Sequence, residues 1–91
     1  MSDVSRQVLI TNRRGLHARA SAKFVTLASA QPCEVQVEKD GNAVTGTSIM
    51  GLMMLSAGQG STIHVAAQGP QAAAALTALA ELVARRFGEE E

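Results

Sequence analysis

Residues 33–44, CEVQVEKDGNAV, leave this chain fewer choices than any other stretch. Cys33, Val35 and Val37 alternate with Glu34, Gln36 and Glu38, the period of two that a strand with one wet face requires. The strand runs into Asp40-Gly41, a pair suited to a two-residue turn whose central residues need positive φ. Such a turn joins only antiparallel neighbours, so the sequence predicts a half-solvated antiparallel sheet that must be covered on its other face. A second strand runs through Ala43 to Thr45.

The rest of the pattern supplies the cover. Val4 to Thr11 alternates with Val8 and Ile10 on one face, and Asn12 to Gly15 breaks that strand. From Ala18 to Ala30, Ala20, Phe24, Leu27 and Ala28 recur at helical spacing opposite Arg19, Lys23 and Thr26, and Pro32 closes the helix. Thr47 or Ser48 caps a short apolar helix that ends by Ala57-Gly58-Gln59-Gly60. A last strand turns Ile63 and Val65 inward. Past Gly69-Pro70, Leu76, Leu79, Val83 and Phe87 form one stripe of a final helix, with Glu81 and Arg85 spaced for an i,i+4 pair and Gly88 past the end. The order βαββαβα, with these connections, favours an α+β architecture: an antiparallel sheet with helices on one face.

At 91 residues the chain supports one domain, 1–91, hiding about 60–65% of the unfolded surface, with no room for a deep cleft. Net charge is zero and aromatic content 2%, which argues against a nucleic-acid partner. The charge is unevenly spread, however. Residues 1–32 carry Arg6, Arg13, Arg14, Arg19 and Lys23 against Asp3, while residues 33–91 hold three basic and seven acidic side chains, including the Glu89 to Glu91 tail. One end should attract anions. The single cysteine, Cys33, allows no internal disulfide, reads as a small buried hydrophobe and, without a signal-like apolar stretch, suits a reducing cytoplasm. The run Ile49–Leu55 is broken by Gly51 and far shorter than the roughly 20 residues of a membrane span. His17, Cys33 and His64 lack metal-ligand spacing, and His64 falls on the sheet face opposite Ile63 and Val65.

In NRRGLHARAS, residues 12–21, His17 stands at the edge of a helix start, beside unpaired N–H groups and the positive end of the helix dipole. That setting disfavours a protonated imidazole and stabilises a bound anion, so a neutral ring nitrogen could accept a phosphoryl group and the product would be held by the same N–H groups and by Arg19. Gly15 permits the tight turn that presents the ring, and Arg13 or Arg14 could steer an anionic donor. The plainer reading is a cap or a surface histidine. Ser48 likewise serves as a cap, and a phosphate there would gain the same kind of N–H groups while setting nearly two negative charges beside an apolar surface. Ile49, Met50, Met53 and Met54 are more apolar groups than so short a helix can bury; core filling is expected to take at least half of them and a docking patch the others.

GLHARASAKF at 15–24 together with TSIMGLMMLSAGQGS at 47–61 resembles the HPr family, the histidine-containing phosphocarriers of the phosphoenolpyruvate-dependent phosphotransferase system. The likeness spans the chain, and the 31 positions between His17 and Ser48 match the family spacing. It implies an open-faced β-sandwich: a four-stranded antiparallel sheet covered by three helices. By position it implies that enzyme I phosphorylates Nδ1 of His17, with Arg19 as charge partner and the Ala18 and Arg19 amides near the phosphoryl oxygens, and that an enzyme IIA-type acceptor takes the group. Ser48 matches the serine modified by HPr kinase/phosphorylase. Ala22, Lys23 and Thr26, with Ile49, Met50 and Met53, match the docking surface. The likeness also implies a carrier rather than a stand-alone catalyst, a cytoplasmic monomer that needs no cofactor or metal. Two departures stand out: Ala20 replaces the usual proline, losing some rigidity in the first helical turn, and Thr47 replaces a basic residue common before the serine. The HARASAKF variant is similar to a nitrogen-related, NPr-like regulatory subgroup. The alternative from another class is a ligand-sensing βαββαβ module similar in outline to ACT domains.

Overall fold

The computed structural model describes residues 3–89. Strand β1 (Asp3–Leu9) leads to helix α1 (Ala18–Ser29), the hairpin β2 (Glu34–Lys39) and β3 (Asn42–Thr45), helix α2 (Ile49–Met54), strand β4 (Thr62–Gln68), helix α3 (Ala72–Ala84) and a 3-10 turn at Arg86–Gly88. The four strands form one antiparallel sheet in the order β1-β4-β2-β3, so the last strand is inserted between the first two. Val8 lies opposite Ile63 and Val37 opposite Val65, and these residues are buried under the helices. On the open face, His64 stands half-buried between Gln7 and Glu38. This is the expected α+β sheet with three helices on one side.

The hairpin closes as its sequence demands. Asp40 and Gly41 have φ of 53° and 85°, the left-handed pair whose twist matches that of the flanking strands. In α1 the inward face consists of Ala20, Phe24 and Ala28 with a buried serine, Ser21, whose hydroxyl donates to the Leu16 carbonyl at 3.2 Å and so keeps its polar atom satisfied. Leu27 is only half-buried, as is Cys33, which packs at the margin of the core rather than within it.

Two expectations for the C-terminal region change. Leu76, Leu79, Val83 and Phe87 all reach the core, but not on one continuous helix. Regular helix stops at Ala84, and Arg86, Phe87 and Gly88 take left-handed φ of 57°, 56° and 79°. The two non-glycine residues in that region, Arg86 and Phe87, together cost about 2–4 kcal/mol. Burial of the Phe87 ring, worth about 2–3 kcal/mol, offsets most of this, helped by Lys23 Nζ, which donates to the Phe87 carbonyl at 2.6 Å. The turn bends the chain end back across the start of α1. Glu81 and Arg85 form no ion pair. Arg85 instead lines a groove between α1 and α3.

Gly15 and Gly41 both have positive φ, yet only Gly15 is enclosed: a Cβ there would overlap the Ala57 carbonyl oxygen and stand 2.7 Å from Gly58 Cα, while one on Gly41 would meet nothing. Gly15→Ala is therefore expected to cost about 3 kcal/mol or more and Gly41→Ala about 1 kcal/mol, read from urea unfolding midpoints. Equal losses would show that the backbone approach at Gly15 is not tight.

Candidate functional site

The segment between β1 and α1 is pinned before it reaches His17. Ile10 N–H donates to the Ser61 carbonyl and Gly60 N–H to the Ile10 carbonyl, both at 2.8 Å, and Leu16 N–H donates to the Ala57 carbonyl at 2.9 Å. The Leu16 side chain is buried in the core. Asn12, fully buried, donates through Nδ2 to the Gly15 carbonyl at 2.8 Å and so closes the loop on itself.

His17 emerges from this frame as the N-cap of α1. Its extended backbone (φ −74°, ψ 179°) lets its carbonyl accept the Ser21 N–H at 2.8 Å, and its Nδ1 accepts the Arg19 N–H at 3.2 Å. The ring is half-buried at the helix start, neither sunk into the core nor remote from a helix. The first turn of α1 contains no acidic side chain to occupy its N-terminal N–H groups.

The other ring nitrogen meets a residue that local sequence gave no reason to select. Nε2 lies 2.5 Å from Glu89 Oε2, and Asn12 Nδ2 donates to Glu89 Oε1 at 3.1 Å. Because both Asn12 contacts need an N–H, its amide orientation is set, and Asn12 Oδ1 is left buried without a partner. Burial alone would raise the Glu89 pKa. The hydrogen bonds from His17 and Asn12, with the attraction of the imidazole N–H and the Lys23 ammonium, outweigh it and hold the carboxyl below its ordinary value of 4.5. Glu89 belongs to the acidic tail, whose Glu90 and Glu91 lie outside the described residues. It is separated from His17 by 72 positions, and only the left-handed turn at 86–88 brings the two together.

The remaining expected residues are distributed as follows. Arg19 reaches the imidazole through its backbone N–H; its guanidinium is exposed and bonded to nothing among the described residues, as are those of Arg13 and Arg14. Arg19, Ala22, Lys23 and Thr26 line the α1–α3 groove with Leu82 and Arg85, and no residue of α2 contributes to it. Lys23 spends its ammonium on the Phe87 carbonyl. Ser48, not Thr47, is the cap of α2: its Oγ accepts the Gly51 N–H at 2.9 Å. The expectation that at least half of Ile49, Met50, Met53 and Met54 would fill the core is overturned. Ile49, Met50, Met53 and Met54 are 42%, 69%, 41% and 75% exposed, because Leu52 and Leu55 already fill the inward positions of so short a helix. Among the described residues no three His, Cys, Asp or Glu side chains are grouped to hold a metal ion, and no helix is long and apolar enough to cross a membrane.

An imidazole that caps the first helix of a scaffold with a four-stranded sheet and three helices sets the class of this small α+β domain. Residues 4–85 match the family model described as the PTS HPr component phosphorylation site. The chain is 48% identical over 86 residues to the phosphocarrier protein HPr of Pseudomonas aeruginosa, covering 93% of this chain and 96% of that one. It is 40% identical to the phosphocarrier protein NPr of Shewanella violacea, covering 98% of each. Its fold superposes on a crystal structure of HPr from Thermoanaerobacter tengcongensis with a TM-score of 0.89 at 41% identity over the whole of both chains. The chain belongs to the HPr family of phosphocarrier proteins of the phosphotransferase system, which sets aside the ligand-sensing module.

The lowered Glu89 pKa has a definite sign. A carboxyl depressed in the folded state adds stability that is fully present above its ordinary 4.5 and is lost as pH falls through the folded value. Urea midpoints of the wild type and Glu89→Gln should therefore differ near neutral pH and converge in acid. A gap that persists undiminished well below 4.5 would show that the carboxylate charge is not its source.

Proposed function

We propose that His17 is the residue of this carrier that accepts a phosphoryl group, through Nδ1, from phosphorylated enzyme I and surrenders it to an enzyme IIA-type acceptor. The observation that carries this reading is the orientation of the ring: Nδ1 points its lone pair at the first-turn amide of Arg19, while Nε2 is turned to a carboxylate. An incoming phosphoryl group at Nδ1 would displace the long 3.2 Å cap bond, and the Ala18 and Arg19 N–H groups would then donate to its oxygens. The exposed guanidinium of Arg19 can swing onto the same oxygens in a charge-assisted contact. Arg13 and Arg14 lie in the same exposed loop and strengthen the local field for an anionic donor.

Docking uses Ala22, Lys23 and Thr26 on α1 and Ile49, Met50 and Met53 on α2, with Met54 added by its exposure. Flexible thioethers suit a surface that must fit more than one partner in turn. The carrier acts as a cytoplasmic monomer, consumed and regenerated by its partners rather than turning over a substrate. HPr relatives at 46–48% identity exceed the NPr relative at 40%, which favours a general phosphotransferase role over a nitrogen-specific one.

Ser48 is a regulatory site in this proposal, modified by an HPr kinase/phosphorylase. Its Oγ caps α2 immediately before the exposed Ile49 and Met50. A phosphate there keeps the helix N-terminus satisfied while charging the rim of the docking patch, so it would hinder partners without unfolding the domain.

Phosphoenolpyruvate plus enzyme I should add one phosphate to the chain, acid-labile as a phosphoramidate is, and none to His17→Ala; mass spectrometry showing no gain on the wild type would end the carrier reading. Ser48→Asp should slow this transfer with an unchanged circular dichroism spectrum. Equal rates would remove the regulatory coupling.

A further inference from the structure

The carrier reading uses Nδ1 and leaves the far side of the imidazole unexplained. That side is the most elaborated part of the site. Three successive left-handed residues, Arg86 to Gly88, turn the chain back toward α1; Phe87 locks the turn into the core and Lys23 Nζ fastens its carbonyl at 2.6 Å. Glu89 follows at once, its Oε2 on His17 Nε2 at 2.5 Å and its Oε1 on the buried Asn12 amide at 3.1 Å. Asn12 is itself fixed by the Gly15 carbonyl at 2.8 Å. Strained backbone, a buried aromatic and a buried amide thus converge on the placement of one carboxylate.

We propose that Glu89 is a positioning residue for phosphoryl transfer: held by Asn12 and by the C-terminal turn, it fixes the tautomer of His17 and balances the charge the ring gains when Nδ1 is phosphorylated. The inference rests on the phosphocarrier reading. An ionised carboxylate only accepts, so its bond requires the proton on Nε2; the Arg19 N–H only donates, so its bond requires a lone pair on Nδ1. Two independent contacts therefore select the same tautomer, the one whose unprotonated Nδ1 faces the helix N-terminus.

The Nδ1 lone pair forms the N–P bond while the bond from phosphorus to its donor atom on enzyme I breaks, and that electron pair stays with the donor. Nε2 keeps its proton, so the ring becomes a phosphoimidazolium cation. A carboxylate on Nε2–H stabilises that cation more than the neutral ring, and the gain begins in the transition state. The same orienting and charge-balancing roles are played by the aspartate of a serine-protease triad. Handover to the acceptor reverses the sequence. Since Glu89 touches the nitrogen opposite the reacting one, it does not obstruct the incoming phosphorus.

The test compares wild type, Glu89→Gln and Glu89→Ala in single-turnover transfer from phosphorylated enzyme I, alongside nitrogen-15 spectra of the His17 ring at a pH where the ring is neutral. Glu89→Gln keeps an acceptor at Nε2 but no charge. It should retain the Nε2–H tautomer and lose about tenfold in rate at saturating enzyme I, with half-saturation unchanged. Glu89→Ala should be slower still and lose the protected Nε2–H proton signal. Unchanged or faster transfer in both variants would overturn the proposal while leaving the carrier reading intact, as would a wild-type ring protonated on Nδ1. Absence of transfer to the wild type would instead defeat the carrier reading, and with it the catalytic role; the ring proton signal would still report whether the Glu89–Nε2 bond exists.

Discussion

The functional end of the molecule depends on the close apposition of two backbones, at Gly15-Leu16 and at Ala57-Gly58. Gly15 can lie there only because it lacks a Cβ, and the Leu16 N–H bonded to the Ala57 carbonyl at 2.9 Å holds the approach. The side chain of Leu16 is sunk in the core that also holds Phe24, Leu52 and Phe87. His17, the next residue, therefore has little freedom in backbone position, and its exposure at the start of α1 follows from core packing as much as from helix capping. On a protein this small no deep cleft shelters an exposed side chain, so the rigidity at His17 comes from beneath.

The two sites where phosphate chemistry is proposed share one physical design. His17 and Ser48 are both N-caps whose side chains accept a first-turn N–H, at 3.2 Å and 2.9 Å respectively. A phosphoryl group added to either atom takes over the donors that the cap released, so modification need not unravel the helix. Their surroundings then separate the two. His17 has exposed arginines and a carboxylate clamped on its far nitrogen, whereas Ser48 has a six-residue apolar helix with four exposed large side chains. A charge gained at the first is accommodated; at the second it alters a surface that partners would touch.

Much of the fold was legible because its signals are local. Asp40-Gly41 demanded a hairpin, and the alternation of Val35 and Val37 with Glu34, Gln36 and Glu38 told which face would be wet. The spacing of Ala20, Phe24 and Ala28 marked the buried stripe of α1, and His17 could be placed at a helix start because a glycine loop precedes it and helical periodicity follows. Other features resisted for equally physical reasons. A stripe through Phe87 cannot announce that the helix stops three residues earlier, since a left-handed turn delivers the same ring to the same core. The burial of Asn12 and Ser21 depends on acceptors that exist only once the loop has closed, and the exposure of the α2 methionines depends on Leu52 and Leu55 having already filled the space beneath.

The antiparallel sheet, the helical cover, the family and the place of His17 at a helix start follow from the order of residues alone, because each is written in residues within one element or one short motif. What stands behind that histidine is settled by folding. Glu89 reaches the imidazole from the far end of the chain, Asn12 holds its other carboxylate oxygen, and no local preference of either residue encodes the meeting. It arises from long-range packing: the core draws in Phe87, the chain must then turn back over α1, and the carboxylate arrives where the ring nitrogen waits.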